Sequence, residues 1–189
     1  MKLIFRLAPL GVLLAATACG TDTDYSKAAL VCPTVGVLSD ASVLRAYGKG
    51  EGRDQANMAY ELEFMRSHLL ECTLEKGKMT AALRFEARAK TGPAASSNDY
   101  DYSWFVAVMN PDGDVISKDV KKGSVGFKSG KAEAFFAEEY DDIEFSPPEG
   151  KDGLGYEILI GFQLTREEVE LNRAKKAAPP GPPDLIMQK

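Results

Sequence analysis

The chain has 189 residues, 28 acidic against 23 basic side chains, a net charge of -5 at neutral pH and 44% hydrophobic residues. That balance excludes nucleic acid and a polybasic hold on anionic membrane, because both need clustered cations. No apolar segment is long enough to span a bilayer as a mature helix, and roughly 150 residues remain for one domain once the two ends are set aside.

Residues 1–19 begin with a short basic start (Lys2, Arg6), continue with an apolar stretch from Leu7 to Ala16, and end in Ala16-Thr17-Ala18-Cys19. This is the layout of a cleaved secretory signal. Small residues directly before a cysteine resemble the lipobox of bacterial lipoproteins, with Ala16 where that pattern prefers Leu. The resemblance covers residues 1–20 and implies cleavage after Ala18, a lipid on Cys19 and attachment to a membrane through that lipid. Gly20, not Asp, follows Cys19, which by the sorting behaviour of such lipoproteins implies the outer membrane, facing the periplasm. Loss of residues 1–18 removes Lys2 and Arg6 and no acid, leaving 21 basic and 28 acidic side chains, net -7.

With Cys19 used by the anchor, Cys32 and Cys72 are left as an even pair in an oxidising compartment. Such a pair reads as a disulfide. A metal site is the rival, but two isolated cysteines and the single histidine, His68, lack the number and spacing of zinc ligands. No metal and no cofactor are expected.

Residues 19–31 read as lipidated terminus and tether, and residues 32–176 as the domain. Thr34 to Leu38 and Ser42 to Tyr47 are short apolar strand pieces separated by Ser39-Asp40. Gly48 to Gly52 (GKGEG) lacks the spacing of a phosphate-binding loop and reads as a flexible turn. From Met58 the apolar residues Tyr60, Leu62 and Phe64 alternate with Glu61 and Glu63. The same phase reaches Leu70 and Cys72, with Arg66 and His68 interrupting it as a bulge or exposed strand end would. Met79, Ala81, Leu83, Phe85, Ala87 and Ala89 alternate with polar residues in a strand that has one dry face. Trp104 to Met109 is apolar on both phases, as in a strand deep in a sheet. Asn110-Pro111-Asp112-Gly113 is a tight turn into a partner strand over 114–120, after which residues 123–131 (GSVGFKSGK) read as a loop. Residues 132–145 read as strand, with helix as the alternative for 131–139. Pro147-Pro148-Glu149-Gly150 is a stop, and Leu154 to Leu164 alternate cleanly as the last strand.

Thr165-Arg166-Glu167-Glu168 opens a short helix to about Lys176 with the signature of a capping box. Residues 177–189 contain Ala-Pro-Pro-Gly-Pro-Pro and read as a disordered tail, with a rigid spacer or a partner's ligand as the functional alternative. Six to eight strands without a long helix between them indicate an all-β fold, an immunoglobulin-like β-sandwich with a short C-terminal helix. A lipocalin-like β-barrel is the alternative.

Two features are candidates for a binding surface. Tyr100, Tyr102 and Trp104 share one strand phase, which would suit stacking on a sugar or partner, although Val106 and Val108 continue the phase and favour a core face. Glu138, Glu139, Asp141 and Asp142 form an acidic run without a calcium-loop pattern. No nucleophile and base stand at a motif spacing. The expected function is therefore a non-catalytic, lipid-anchored envelope protein that binds an envelope protein or glycan. The alternative is an envelope hydrolase with an acidic or His68-containing cleft.

Overall fold

The structure, a computed structural model, describes residues 30–48 and 52–177. The signal segment, most of the tether and the proline-rich tail lie outside the described residues. The domain is a sandwich of two four-stranded sheets. Its strands are β1 (Thr34–Val37), β2 (Val43–Tyr47), β3 (Met58–Glu75), β4 (Lys78–Thr91), β5 (Asp99–Met109), β6 (Val115–Gly126), β7 (Glu133–Phe145) and β8 (Glu157–Phe162), followed by helix α1 (Arg166–Ala177). One sheet has the order β1-β8-β5-β6 and the other β2-β3-β4-β7. They remain two sheets, so the barrel alternative is not what forms.

The neighbours β3-β4-β7 and β6-β5-β8 reproduce the A-B-E and C′-C-F pairings of an immunoglobulin-type sandwich. The place beside β8 is taken by β1, which runs parallel to it, with Thr34 opposite Glu157 and Val37 opposite Ile160. A 3-10 turn over Ser39–Ala41 then lifts the chain out of that sheet so that β2 can pair antiparallel with β3. The first strand is thus split between both layers.

Alternation in β4 does what its period requires. Met79, Leu83, Phe85 and Ala89 are fully buried and meet Trp104, Ile158, Ile160 and Phe162 of the facing sheet. Lys76 and Gly77 both have positive φ (52° and 79°) and form the two-residue turn joining Glu75 to Lys78. β5 is buried on both faces. Trp104, Val106 and Val108 face the main core, while Phe105 and Ala107 are covered outside by Ala41 and Leu164.

Three expectations need correction, and one alternative is decided. Leu70 is exposed rather than in phase with Cys72, because β3 carries an extra residue at Met65 and another at Leu70, and two bulges restore the phase only at Cys72. β6 does not stop at Gly123. It pairs with β5 as far as Gly126, and Gly123 lies under the Tyr102 ring, where an added Cβ would be 2.4 Å from Tyr102 Cζ. Glycine is needed there for the cross-strand ring, and Val125 and Phe127 beyond it are buried. Residues 133–145 are strand throughout, as the first reading has it, and the helix alternative for 131–139 does not form. β8 is shorter than its alternation: Gly155 takes φ of +78° and Leu154 lies in the preceding loop, 69% exposed.

The helix starts on a complete capping box. The Glu168 carboxylate accepts from Thr165 N–H (2.7 Å), and Thr165 Oγ1 accepts from Glu168 N–H (3.3 Å). α1 is fastened to the strand switch by Asn172, only 6% exposed, whose amide donates to the carbonyls of Asp40 (3.0 Å) and Val43 (2.7 Å). Arg45 Nη1 donates to its Oδ1 (2.8 Å). Asn172→Ala would leave these buried groups unpaired, so we expect a loss of about 1–3 kcal/mol by urea unfolding. Glu170→Ala, on the exposed side of the same helix, should change stability by less than about 0.5 kcal/mol.

Candidate functional site

The two long sides of the sandwich are closed differently. On one side the chain itself crosses between sheets after β1, and a Cys32–Cys72 disulfide (Cα–Cα 6.0 Å) ties the entry to β1 in one sheet to β3 in the other. On the opposite side lie the two edge strands β6 and β7, bridged by polar side chains. The Tyr102 hydroxyl donates to Glu138 Oε1. The Tyr140 hydroxyl donates to Asp119 Oδ2 (2.7 Å), and Lys121 Nζ sits 2.6 Å from the same oxygen and 4.6 Å from the Tyr140 ring centroid.

This arrangement sets the proton affinities. Burial first, then donation to Glu138, pushes the Tyr102 phenol well above its ordinary value. The hydrogen bond to Asp119 pushes Lys121 up to about 12, and the bond from Lys121, then that from Tyr140, holds Asp119 below the usual carboxylate range. Tyr102 and Lys121 keep their protons longer when folded than when unfolded. Their contribution is therefore complete below about pH 10, where the unfolded groups are protonated, and is lost as pH rises through the folded values. Denaturant unfolding between pH 9 and 12 should show stability falling from about pH 10, and less steeply in Tyr102→Phe. An unchanged slope in that variant would contradict the assignment.

The sequence-predicted site residues are dispersed. Tyr102 and Trp104 are 4% and 2% exposed and belong to the core, so the aromatic half of the candidate surface is not a surface. Trp104 makes T-shaped contacts with Phe85 (4.8 Å between centroids) and Tyr140 (6.0 Å). Tyr100 is half-buried against Tyr60, 4.3 Å between centroids.

The acidic run divides by strand phase. Glu138 points inward to Tyr102, whereas Glu139 points outward and pairs with Arg84 (2.6 Å). Asp141 and Asp142 lie together opposite Ala82, where β7 carries one extra residue. A charged bulge on an edge strand discourages pairing with another chain. Around them, Arg66–Glu86 (2.6 Å), Arg88–Glu63 (2.5 Å) and Lys78–Glu144 (2.6 Å) complete a ladder of cross-strand ion pairs on the outer face of this sheet. Exposed pairs of this kind stabilise little and chiefly favour one register. His68 is exposed on the same face, opposite Arg84. The row across the sheet is His68, Arg84, Glu139. A guanidinium paired with the carboxylate thus stands between the histidine and the acid that could orient it.

An open hollow of about 920 Å³ lies at the end of the sandwich where the described chain begins. Leu30, Leu74, Pro111, Leu154 and Tyr156 line it together with Asp112 and Asp152. Asp152 Oδ2 accepts from Val31 N–H (3.1 Å) and Oδ1 from Leu154 N–H (3.0 Å). The Leu154 bond, then the Val31 bond, lowers the pKa of this carboxyl. Among the described residues no group of three or more His, Cys, Asp or Glu side chains is arranged to hold a metal ion. Cys19 lies outside the described residues.

Asp119, Lys121, Asp152 and Asn172 do not stand out in the sequence as site residues. One signal for the first two was readable: Asp119, Lys121, Gly123, Val125 and Phe127 share a phase that continues through the supposed loop. No family model matches the chain, and no curated protein or solved structure is significantly similar to it.

Proposed function

We propose that the protein is a lipid-anchored envelope component, held by Cys19 in the outer membrane and facing the periplasm, whose sandwich serves as a binding or assembly module for an envelope protein or glycan. The observation that carries this reading is how firmly the chain is fastened where it enters the domain. Val31 donates to Asp152 and accepts from Gly153 N–H (2.8 Å), and the next residue, Cys32, is locked to β3. A tether has to end in such a fixture if it is to position a domain. Only ten residues, 20–29, separate Cys19 from the first described residue, Leu30. The end of the sandwich carrying the hollow then faces the membrane. The far loops and the β6–β7 side, with its alternating carboxylates and lysines, face outward to a partner.

The test is crosslinking in the native envelope followed by affinity capture and mass spectrometry, with wild type beside Cys19→Ala. The expected result is a defined partner recovered with wild type and lost with the unlipidated form. Recovery of the same partner in equal yield from both forms would remove the role given to the anchor.

A further inference from the structure

The outer face of the β1-β8-β5-β6 sheet changes character along its length. Over Phe105 and Ala107 it is closed: both are buried, Ala41 and Leu164 pack on them, and the Lys118 ammonium stands 4.4 Å from the Phe105 ring centroid. One row closer to the start of β5 this cover ends. There Ser103 lies opposite Lys122, and Gln163 N–H donates to the Ser103 carbonyl (2.8 Å), so Lys122, Ser103 and Gln163 form one row across three strands. Asp101 and Ser124 form the next. Two short serines among longer neighbours leave an open depression of about 580 Å³, lined by these five residues with Leu44 at one side.

We infer that this depression binds a segment of saccharide, so that glycan rather than protein is the ligand of the module. The inference rests on reading the domain as a binding module, but not on its lipid anchor. Its first support is that the five polar side chains are uncommitted. Among the described residues none of them enters a hydrogen bond or an ion pair. On the other sheet the outward charges pair with one another, as in Arg84–Glu139 and Lys78–Glu144 (both 2.6 Å). Here Asp101 and Lys122 hold diagonal positions on neighbouring strands, within reach of each other, and do not pair. The second support is the kind of groups assembled. The carboxylate accepts, the ammonium donates, and the two hydroxyls and the amide do both, which matches a ring whose hydroxyls also do both. Leu44 and the methylene stem of Lys122 offer apolar surface to the C–H faces of such a ring. One positive and one negative charge cancel, so the depression selects neither a polyanion nor a polycation.

Shape and position are the third support. An open trough suits part of a polymer, whereas a free small molecule is usually enclosed. Asp101 stands about 30 Å along β5 from Asn110, which lines the hollow at the other end of the sandwich, so the trough lies away from the tether's entry. A sugar held here would not be cut. Glycoside hydrolysis uses two carboxyl groups flanking the bond, and among the described residues Asp101 alone brings a carboxyl group to the depression.

The test is an NMR titration of the isotope-labelled full chain carrying Cys19→Ala with two probes prepared from the native envelope: enzymatically solubilised cell-wall glycan, and oligosaccharide released from the envelope's glycolipid. We expect saturable amide shifts centred on Asp101, Ser103, Lys122, Ser124 and Gln163, and the probe that gives them names the source of the sugar. Asp101→Ala with Gln163→Ala should bind that probe at least about tenfold more weakly, two hydrogen-bonding groups having been lost, with an unchanged unfolding midpoint. Glu170→Ala should bind as wild type does. Neither probe shifting these amides would overturn the inference, and so would equal binding by the double variant. A protein partner captured from the envelope without any binding of saccharide would overturn this inference and leave the binding-module reading standing.

Discussion

Replacing Cys32 and Cys72 together by serine is expected to lower stability by about 4 kcal/mol and the unfolding temperature by roughly 10 °C. The disulfide closes a sequence separation of 40 residues, and its removal frees the unfolded chain by the entropy of that loop. The native state would lose little else, because β1 still pairs with β8 and Leu38 N–H still donates to the Ile160 carbonyl (2.8 Å). The expected product is a folded but weakened sandwich, and calorimetry with and without reductant measures the difference. A loss below about 1 kcal/mol would mean that the unfolded chain is already constrained where the bridge would act.

Phe85→Ala is the second large effect, expected to cost about 3–5 kcal/mol. Phe85 is fully buried at the centre of β4, 4.9 Å from Phe64 and 4.8 Å from Trp104 between ring centroids, and it joins aromatic residues of both sheets. Removing it leaves a cavity bounded by rings that cannot collapse inward without leaving their own contacts. Phe135→Ala is the matched comparison. That ring lies on edge strand β7 and is 71% exposed, so the same chemical change should cost less than about 0.5 kcal/mol. Comparable losses at the two positions would contradict the assignment of core and surface phases.

The contrast between these phenylalanines shows what could be read directly from the sequence. Met79 to Ala89 declared both strand and dry face, since a period of two has one structural meaning over a dozen residues. The Thr165 and Glu168 cap was equally local. The split first strand was also visible, as two apolar pieces around Ser39-Asp40, although its parallel pairing with β8 was not, because pairing partners lie more than a hundred residues apart.

The misreadings have a common physical origin: a local rule was overridden by a neighbour across the sheet. Gly123 reads as a break until Tyr102 is seen to need the space above it. Leu70 reads as core until two bulges in one strand are counted. Tyr102 and Trp104 are no misreading of this kind: Val106 and Val108 in the same phase already favour a core, and the facing sheet buries both rings. The acidic run looked like one feature, yet strand phase sends Glu138 inward, Glu139 to Arg84, and Asp141 and Asp142 to an edge bulge. Sequence proximity grouped what the fold divides.

The lipid anchor is the premise on which the position and role of the domain depend, and the intact mass of the protein purified from its native membranes tests it most directly. The account predicts a chain that begins at Cys19 and carries the added mass of a diacylglyceryl group and acyl chain on that residue. A chain that retains residues 1–18, or begins at Cys19 without added mass, would contradict it.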